Sequence, residues 1–287
     1  MIAWLDGAFL PLAEARVSVL DRGFLFGDGV YEIVPVYSRR AFRLDEHLRR
    51  LQHSLDGIRL ANPMAPGDWR GLISDLVARQ DFDDQSLYIQ ITRGVPAEGQ
   101  PLRDHAFPAA ARPTVFVYAQ PLRTAAPEQK AAGVCAVTAT DPRWQHCDIK
   151  AISLLANVLM RQQAVDAGCA ETVMLRDGFL TEGAASNIFV VAGGLLLAPP
   201  PSPHMLTGIT YDVVLELAAA HAIPHAVRPV SEAELRAADE IWMTSSTREI
   251  MAVVRLDGET VGAGVPGPVA RRMDACYQQF KRDVMRA

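Results

Sequence analysis

Three turn pairs punctuate the chain: Asp6-Gly7, Asp177-Gly178 and Gly193-Gly194 each separate two apolar runs. A two-residue turn of this chemistry joins antiparallel strands in a hairpin. Helical spacing interrupts the strand signals. Leu44, Leu48, Leu51, Leu55 and Ile58 recur every three or four residues, with Asp45 near the start as a cap. Residues 66–80 read as a second helix. Residues 31–37 read as a strand, where Pro35 argues for an edge or a bulge. Leu87, Ile89 and Ile91 alternate as another strand, and residues 114–118 as one more. An Ala-, Pro- and polar-rich stretch follows. Beyond it come a strand at 134–140, an amphipathic helix at 153–167 and a helix opened by Gly208. Ser231 to Glu234 matches a capping box. Strands near Ile241 and Val253 and a final helix from Pro268 end the series. The expectation is an α+β chain of two domains, each mixing sheet and helix. Their boundaries fall at 1–119 and 134–287, with a linker at 120–133.

Composition narrows the class. At 287 residues the chain suits two cores better than one. A net charge of −5 leaves no electrostatic footprint for nucleic acid. Its most apolar stretch, 188–200, is broken by Gly193-Gly194 and falls short of the roughly 20 apolar residues a membrane helix needs. No signal peptide is visible at the N-terminus. The four cysteines show no C-x-x-C spacing, which favours a reducing compartment without structural zinc. The cytoplasm is the expected location.

The chemistry concentrates on few residues. Only three of the 28 Lys and Arg residues are lysines: Lys130, Lys150 and Lys281. Lys130 in the linker and Lys281 on the last helix read as solvated surface groups. Lys150 follows the apolar Ile149 and precedes a helix start. A buried lysine becomes a usable nucleophile and base, able to form a Schiff base with an aldehyde cofactor. Downstream, Glu182 lies among small residues in Thr181-Glu182-Gly183-Ala184-Ala185-Ser186-Asn187. A carboxylate there could hold a pyridine nitrogen protonated. Gly208-Ile209-Thr210 would offer free N–H groups at a helix start, a site for phosphate. Thr244-Ser245-Ser246-Thr247 gathers hydroxyls at a strand end. Arg50 could grip phosphate bidentately, or form a surface pair with Glu46. Gly27-Asp28-Gly29 is only half of a dinucleotide fingerprint, and other catalytic templates are missing.

Together these segments resemble the fold-type IV pyridoxal phosphate enzymes, from Leu5-Asp6-Gly7 to beyond Thr247. That family includes D-amino acid aminotransferases, branched-chain aminotransferases and aminodeoxychorismate lyases. The resemblance implies an active site between two domains, with Lys150 carrying the cofactor and Glu182 on its ring nitrogen. Arg50, Gly208, Ile209, Thr210, Ser246 and Thr247 would hold its phosphate, Leu206 would pack on the ring, and Arg143 would lie near its polar edge. Gly27 to Glu32 and Arg103-Asp104-His105-Ala106-Phe107-Pro108 resemble the D-amino acid subgroup most. There Tyr31, Arg103 and His105 grip the substrate carboxylate. The arginine and histidine reach in from a second subunit, which implies a homodimer. The implied reaction is ping-pong transamination between an amino acid, such as D-alanine, and a 2-oxo acid. A lyase or a branched-chain L-aminotransferase is the alternative. Three features depart from the subgroup: a long segment at 95–102, alanines at 184 and 185, and Tyr211.

Overall fold

A computed structural model describes residues 1–287. The chain forms two compact units, Met1–Arg123 with Ile149–Ser153, and Thr124–Asp148 with Leu154–Ala287. Residues 149–153, Lys150 among them, thus belong to the first unit although the chain around them belongs to the second.

The first unit contains β1 (Ile2–Leu5), β2 (Ala8–Pro11), the short α1 (Arg22–Phe26), β3 (Gly29–Tyr37) and β4 (Arg40–Ala41). Helices α2 (Leu44–Gly57) and α3 (Pro66–Ala78) follow, then β5 (Gln85–Pro96) and β6 (Ala111–Pro121). The strands make one antiparallel sheet in the order β2-β1-β6-β5-β3-β4. At the first hairpin Asp6 and Gly7 both take positive φ, which this turn demands. Leu87, Ile89 and Ile91 bury one face of β5 in a core shared with Leu51, Leu55 and Leu76. Burying each such side chain favours folding by about 1.5–3 kcal/mol. Pro35 is tolerated because β4 pairs only with Val36 and Tyr37, so β3 is nearly an edge at Pro35. Asp45 is not the cap of α2. Arg43 takes that place in a left-handed conformation, and Asp45 pairs with Arg70 from the first turn. The β5–β6 ladder shifts register between Thr92 and Val95, around Gly94, where a Cβ would collide with the Arg112 carbonyl oxygen. Past the shift the hairpin resumes with Val95 opposite Arg112 and Pro96 opposite Ala111.

The second unit starts with α4 (Pro127–Ala132), which lies within the stretch read as a linker. It continues through β7 (Val134–Thr140), α5 (Leu155–Asp166), β8 (Glu171–Arg176), β9 (Phe179–Gly183), β10 (Asn187–Ala192) and β11 (Leu195–Ala198). Then come α6 (Ile209–Ala220), β12 (His225–Val227), α7 (Glu232–Arg236), β13 (Glu240–Ser245), β14 (Glu249–Leu256), β15 (Glu259–Thr260) and α8 (Pro268–Phe280). The sheet runs β12-β11-β10-β13-β14-β7-β8-β9, with β15 also on β14. It mixes parallel pairs (β11/β12, β14/β7, β7/β8) with antiparallel ones. Ser231 and Glu234 make the reciprocal capping box the sequence indicates. Tyr211, one of the departures noted above, is a core residue. Its hydroxyl donates to the Pro199 carbonyl at 2.8 Å and its ring lies 5.2 Å from Phe189.

The cysteines behave differently from the sequence expectation. Cys135 and Cys169 form a disulfide, with Cα atoms 4.9 Å apart, while Cys147 and Cys276 stay free. The 34-residue separation hides this pair in the sequence. Parallel pairing of β7 with β8, in register at Ala136 and Glu171, brings the two cysteines together just before that register point. No helix is long and apolar enough to cross a membrane.

Candidate active site

The first unit holds the lysine. Residues 149–153 run along the start of β3: Tyr31 N–H donates to the Lys150 carbonyl at 2.9 Å and Ile152 N–H to the Gly29 carbonyl at 3.0 Å. Ser54 Oγ of α2 accepts the Lys150 N–H at 3.1 Å. This fixes the Lys150 backbone from two sides. Its Nζ lies 4.1 Å from the centroid of the Tyr31 ring and forms no ion pair. The other two lysines are not the solvated groups expected of them. Lys130 and Lys281 both donate to Glu249, at 2.6 and 2.5 Å, and Glu249 is buried.

Arg50 is committed differently from the surface pairing with Glu46. Its Nε and Nη2 donate to the two oxygens of Glu32, at 2.7 and 2.9 Å. Glu46 pairs with Arg49 instead. Glu32 is fully buried on β3, and His47 Nδ1 bonds its Oε2 at 2.9 Å. Burial would push the Glu32 carboxyl up, but the Arg50 charge and the hydrogen bonds from Arg50 and His47 outweigh it. The carboxyl ends far below the usual carboxylate range. Burial in turn holds His47 below its ordinary value, against the pull of Glu32. Sequence reading passed over Glu32 and His47 because their partners are 15 and 18 residues away and on other elements.

Arg103 and His105 lie on the β5–β6 loop. Of the long segment 95–102 that precedes them, Val95 and Pro96 pair with β6 and the rest belongs to the loop. Both side chains gather at Phe26, with the Arg103 guanidinium 5.3 Å and the His105 ring 5.4 Å from its ring centroid.

The second unit holds the carboxylate. Glu182 is buried at the end of β9. Arg143 Nη1 donates to its Oε1, the Leu206 N–H donates to the same oxygen at 3.2 Å, and Asn187 Nδ2 approaches Oε2 at 3.4 Å. Asp141 fixes Arg143 by bonds of 2.9 and 2.8 Å, and Arg176 bonds the same Asp141. Burial makes the Arg143 charge costly, but Asp141 and Glu182 more than offset that and hold it protonated.

Asn187 organises the phosphate candidates. Its side chain accepts the Gly208 N–H at 3.1 Å and donates to the Leu206 carbonyl at 2.9 Å. It also pairs with Thr244 across β10 and β13. The start of α6 and the hydroxyl-rich turn 244–248 therefore share one end of the sheet with Glu182. Helix α6 has no side-chain cap, so the N–H groups of Ile209 and Thr210 face outward at the positive end of its dipole. A Cβ at Gly208 would stand 2.6 Å from Asn187 Oδ1, so a larger residue there would displace the Asn187 side chain. Thr244 Oγ1 is buried without a partner. Of the free thiols, Cys147 is raised to about 11 by burial and is no nucleophile at neutral pH.

An uncapped helix start beside hydroxyls, a buried carboxylate and an unpaired lysine are the donor set that a phosphorylated pyridine aldehyde requires. The comparison with known proteins agrees. Residues 29–256 match the family model for amino-transferase class IV. The chain belongs to the class IV aminotransferases. A D-alanine aminotransferase from Bacillus licheniformis is 36% identical over 273 residues, covering 95% of this chain and 94% of the relative. One from Staphylococcus aureus (strain MW2) is 34% identical over 278 residues, covering 96% of both. Among solved structures, a T.th. branched-chain amino acid aminotransferase with pyridoxamine 5'-phosphate superposes with a TM-score of 0.88 at 27% identity, covering 97% of this chain and 93% of that one. Class IV aminotransferases depend on pyridoxal phosphate, and the residues of both units fit that group.

Proposed function

We propose that this class IV aminotransferase exchanges the amino group of a D-amino acid, D-alanine among them, with a 2-oxo acid. The observation that carries the transaminase reading is Lys150, the one lysine whose amine is not spent on a carboxylate. The D-selectivity rests on the D-alanine aminotransferase relatives and on Tyr31, Arg103 and His105.

Bound pyridoxal phosphate would supply a carbonyl that amines attack and a ring that draws electron density away from the substrate Cα. Lys150 would hold the cofactor through its amine, and that amine, when free, would take the proton from the substrate Cα and return one during the exchange. Glu182, oriented by Arg143, Asn187 and the Leu206 N–H, keeps a proton at the ring nitrogen. The Ile209 and Thr210 N–H groups, with Ser246, Thr247 and Arg50, would hold the phosphate. The Glu32 fork orients that arginine. Leu206 would pack against the ring. Tyr31, Arg103 and His105 all donate to one carboxylate, which selects α-amino acids over simple amines.

A homodimer is part of the proposal. Helix α5 leaves Leu155, Val158 and Leu159 exposed at 72%, 58% and 57%, an apolar stripe suited to a second copy. Sedimentation should give twice the mass of the chain, and a monomer at working concentration would sink this part.

Purified holoenzyme assayed with D-alanine and, separately, L-leucine, each with 2-oxoglutarate, tests the substrate. Turnover of D-alanine is expected. The branched-chain neighbours favour a second reading, and turnover of L-leucine alone would establish it. Lys150→Ala should abolish the covalent cofactor absorbance, and an unchanged spectrum with unchanged activity would overturn the transaminase reading altogether.

A further inference from the structure

We propose that Arg22 and Phe26 are positioning residues that hold the Arg103–His105 loop in the shape that grips a substrate carboxylate. The inference rests on the transaminase reading above and adds residues that this reading does not use.

The segment from Asp21 to Asp28 supplies the whole support. Asp21 caps α1 by accepting the Gly23 N–H at 2.7 Å, and Gly27 ends it in a left-handed conformation. This short helix sends Arg22 inward, where it is 3% exposed. A lone arginine at that depth would be costly, but Asp28 Oδ2 accepts its Nε at 2.8 Å. The same oxygen accepts Arg93 Nε at 2.8 Å. One carboxylate thus orients two guanidinium groups, and each turns its remaining donors outward.

Those donors meet the loop. Arg22 Nη1 donates to the Asp104 carbonyl at 2.6 Å, and its Nη2 lies 3.5 Å from the His105 carbonyl. Both acceptors are main-chain groups within Arg103-Asp104-His105, so the bonds fix the backbone and leave the two functional side chains free. Asp104 tightens the same turn by accepting the Ala106 N–H at 3.0 Å. Arg93 donates to the Ile58 carbonyl at 2.7 Å and lies 3.8 Å from the centre of the Phe107 ring, which fixes the loop's far side. Phe26 finishes the arrangement. The Arg22 guanidinium is 4.7 Å from its centroid, and Arg103 and His105 approach the same ring.

A 14-residue connection between β5 and β6 without such anchors would sample many shapes (residues 97–110). A grip formed by a guanidinium and an imidazole depends on their separation. Fixing the main chain between them removes an ordering cost from every substrate-binding event. Asp28 is followed at once by β3, which carries Tyr31, so one stretch of chain carries both Tyr31 and the support of the Arg103–His105 loop.

The test compares Arg22→Gln, Arg22→Lys and Phe26→Leu holoenzymes with the unaltered protein. D-alanine is added without acceptor, and loss of the covalent cofactor absorbance is followed against substrate concentration. Arg22→Gln should raise the half-saturating concentration about tenfold or more while the maximal rate stays within about twofold. Arg22→Lys, which keeps a donor and a charge for Asp28, should recover part of that loss. Phe26→Leu leaves every ion pair in place and should raise half-saturation in the same way, so the test stands if Arg22→Gln fails to fold. Unchanged half-saturation in Phe26→Leu and in whichever Arg22 variants fold would overturn the proposal. So would equal losses in half-saturation and maximal rate, the mark of general damage. If the unaltered protein itself fails to respond to D-alanine, the substrate reading fails first, and the two failures are thereby told apart.

Discussion

The amine of Lys150 stands 4.1 Å from the ring centroid of Tyr31, whose main-chain N–H also bonds the Lys150 carbonyl. The two residues are 119 positions apart and held together at both backbone and side chain. A cation beside an aromatic face is attracted to it, and the tyrosine hydroxyl remains available for a second task. Tyr31→Phe keeps the ring and removes the donor. It should leave the covalent cofactor absorbance intact and raise KM for D-alanine about tenfold to hundredfold, the loss of one hydrogen bond to a charged group. Tyr31→Ala should also slow attachment of the cofactor to the apo-protein, measured by the growth of absorbance after mixing.

The buried Glu32–His47 pair sets a pH dependence of stability. His47 is held below its ordinary value first by burial, and its Nε2 has no partner to receive from a second proton. Because the folded value is depressed, the unfolded chain binds that proton more readily. Stability is therefore complete above about pH 6.5 and falls as pH drops through the folded value. Glu32 adds a loss of the same sign that begins at the ordinary carboxylate value, about 4.5, and continues below it. Thermal unfolding between pH 8 and pH 4 should show a falling melting temperature from about pH 6.5 downward. His47→Gln should flatten the upper part of that decline and keep the lower.

Glu249 anchors the end of the hydroxyl-rich turn. It begins β14 with φ of 56° and accepts from Lys130, Lys281 and Gln278. Removing one partner from a buried ionic cluster leaves the others uncompensated. Glu249→Gln should cost about 3 kcal/mol in denaturant unfolding. It should also weaken cofactor retention, because Ser246 and Thr247 lie three and two residues before this anchor. Dialysis against free phosphate, followed by absorbance, measures that second effect.

The Cys135–Cys169 bond closes a loop across β7 and β8. Peptide mapping without reductant should recover the two cysteines as one linked species. Reduction should lower stability by about 4 kcal/mol, the chain-entropy cost for a loop of this size. An equal melting temperature with and without reductant would contradict the prediction.

Local signals were legible in the sequence, and long-range ones were not. Hairpins at Asp6-Gly7, Asp177-Gly178 and Gly193-Gly194, the Ser231–Glu234 box and the helix opened by Gly208 each depend on a few adjacent residues. Lys150 and Glu182 stood out for the same reason. Their supports did not. Arg22 meets Asp104 82 positions later, Lys130 meets Glu249 119 positions later, and Arg143 reaches Glu182 across 39. Charge and spacing along the chain carry no trace of such partners, because only the folded sheet makes them neighbours. The same reasoning misjudged Lys130 and Lys281, which look solvated until Glu249 is placed between them. Asn187 was within a noticed motif, yet its role appears only once β10 and β13 pair.

Residues 149–153 complete the first unit from deep within the sequence of the second, and this orders events during synthesis. When Arg123 leaves the ribosome, the edge at Gly29–Tyr31 still lacks the strip with which it exchanges hydrogen bonds. Nearly thirty more residues must emerge before that strip can dock. By then β7 is already exposed and waiting for β8 and β14. The lysine therefore arrives as a late seal on an older sheet, and neither unit can be cut free at a single point in the gene without taking the reactive amine from its seat.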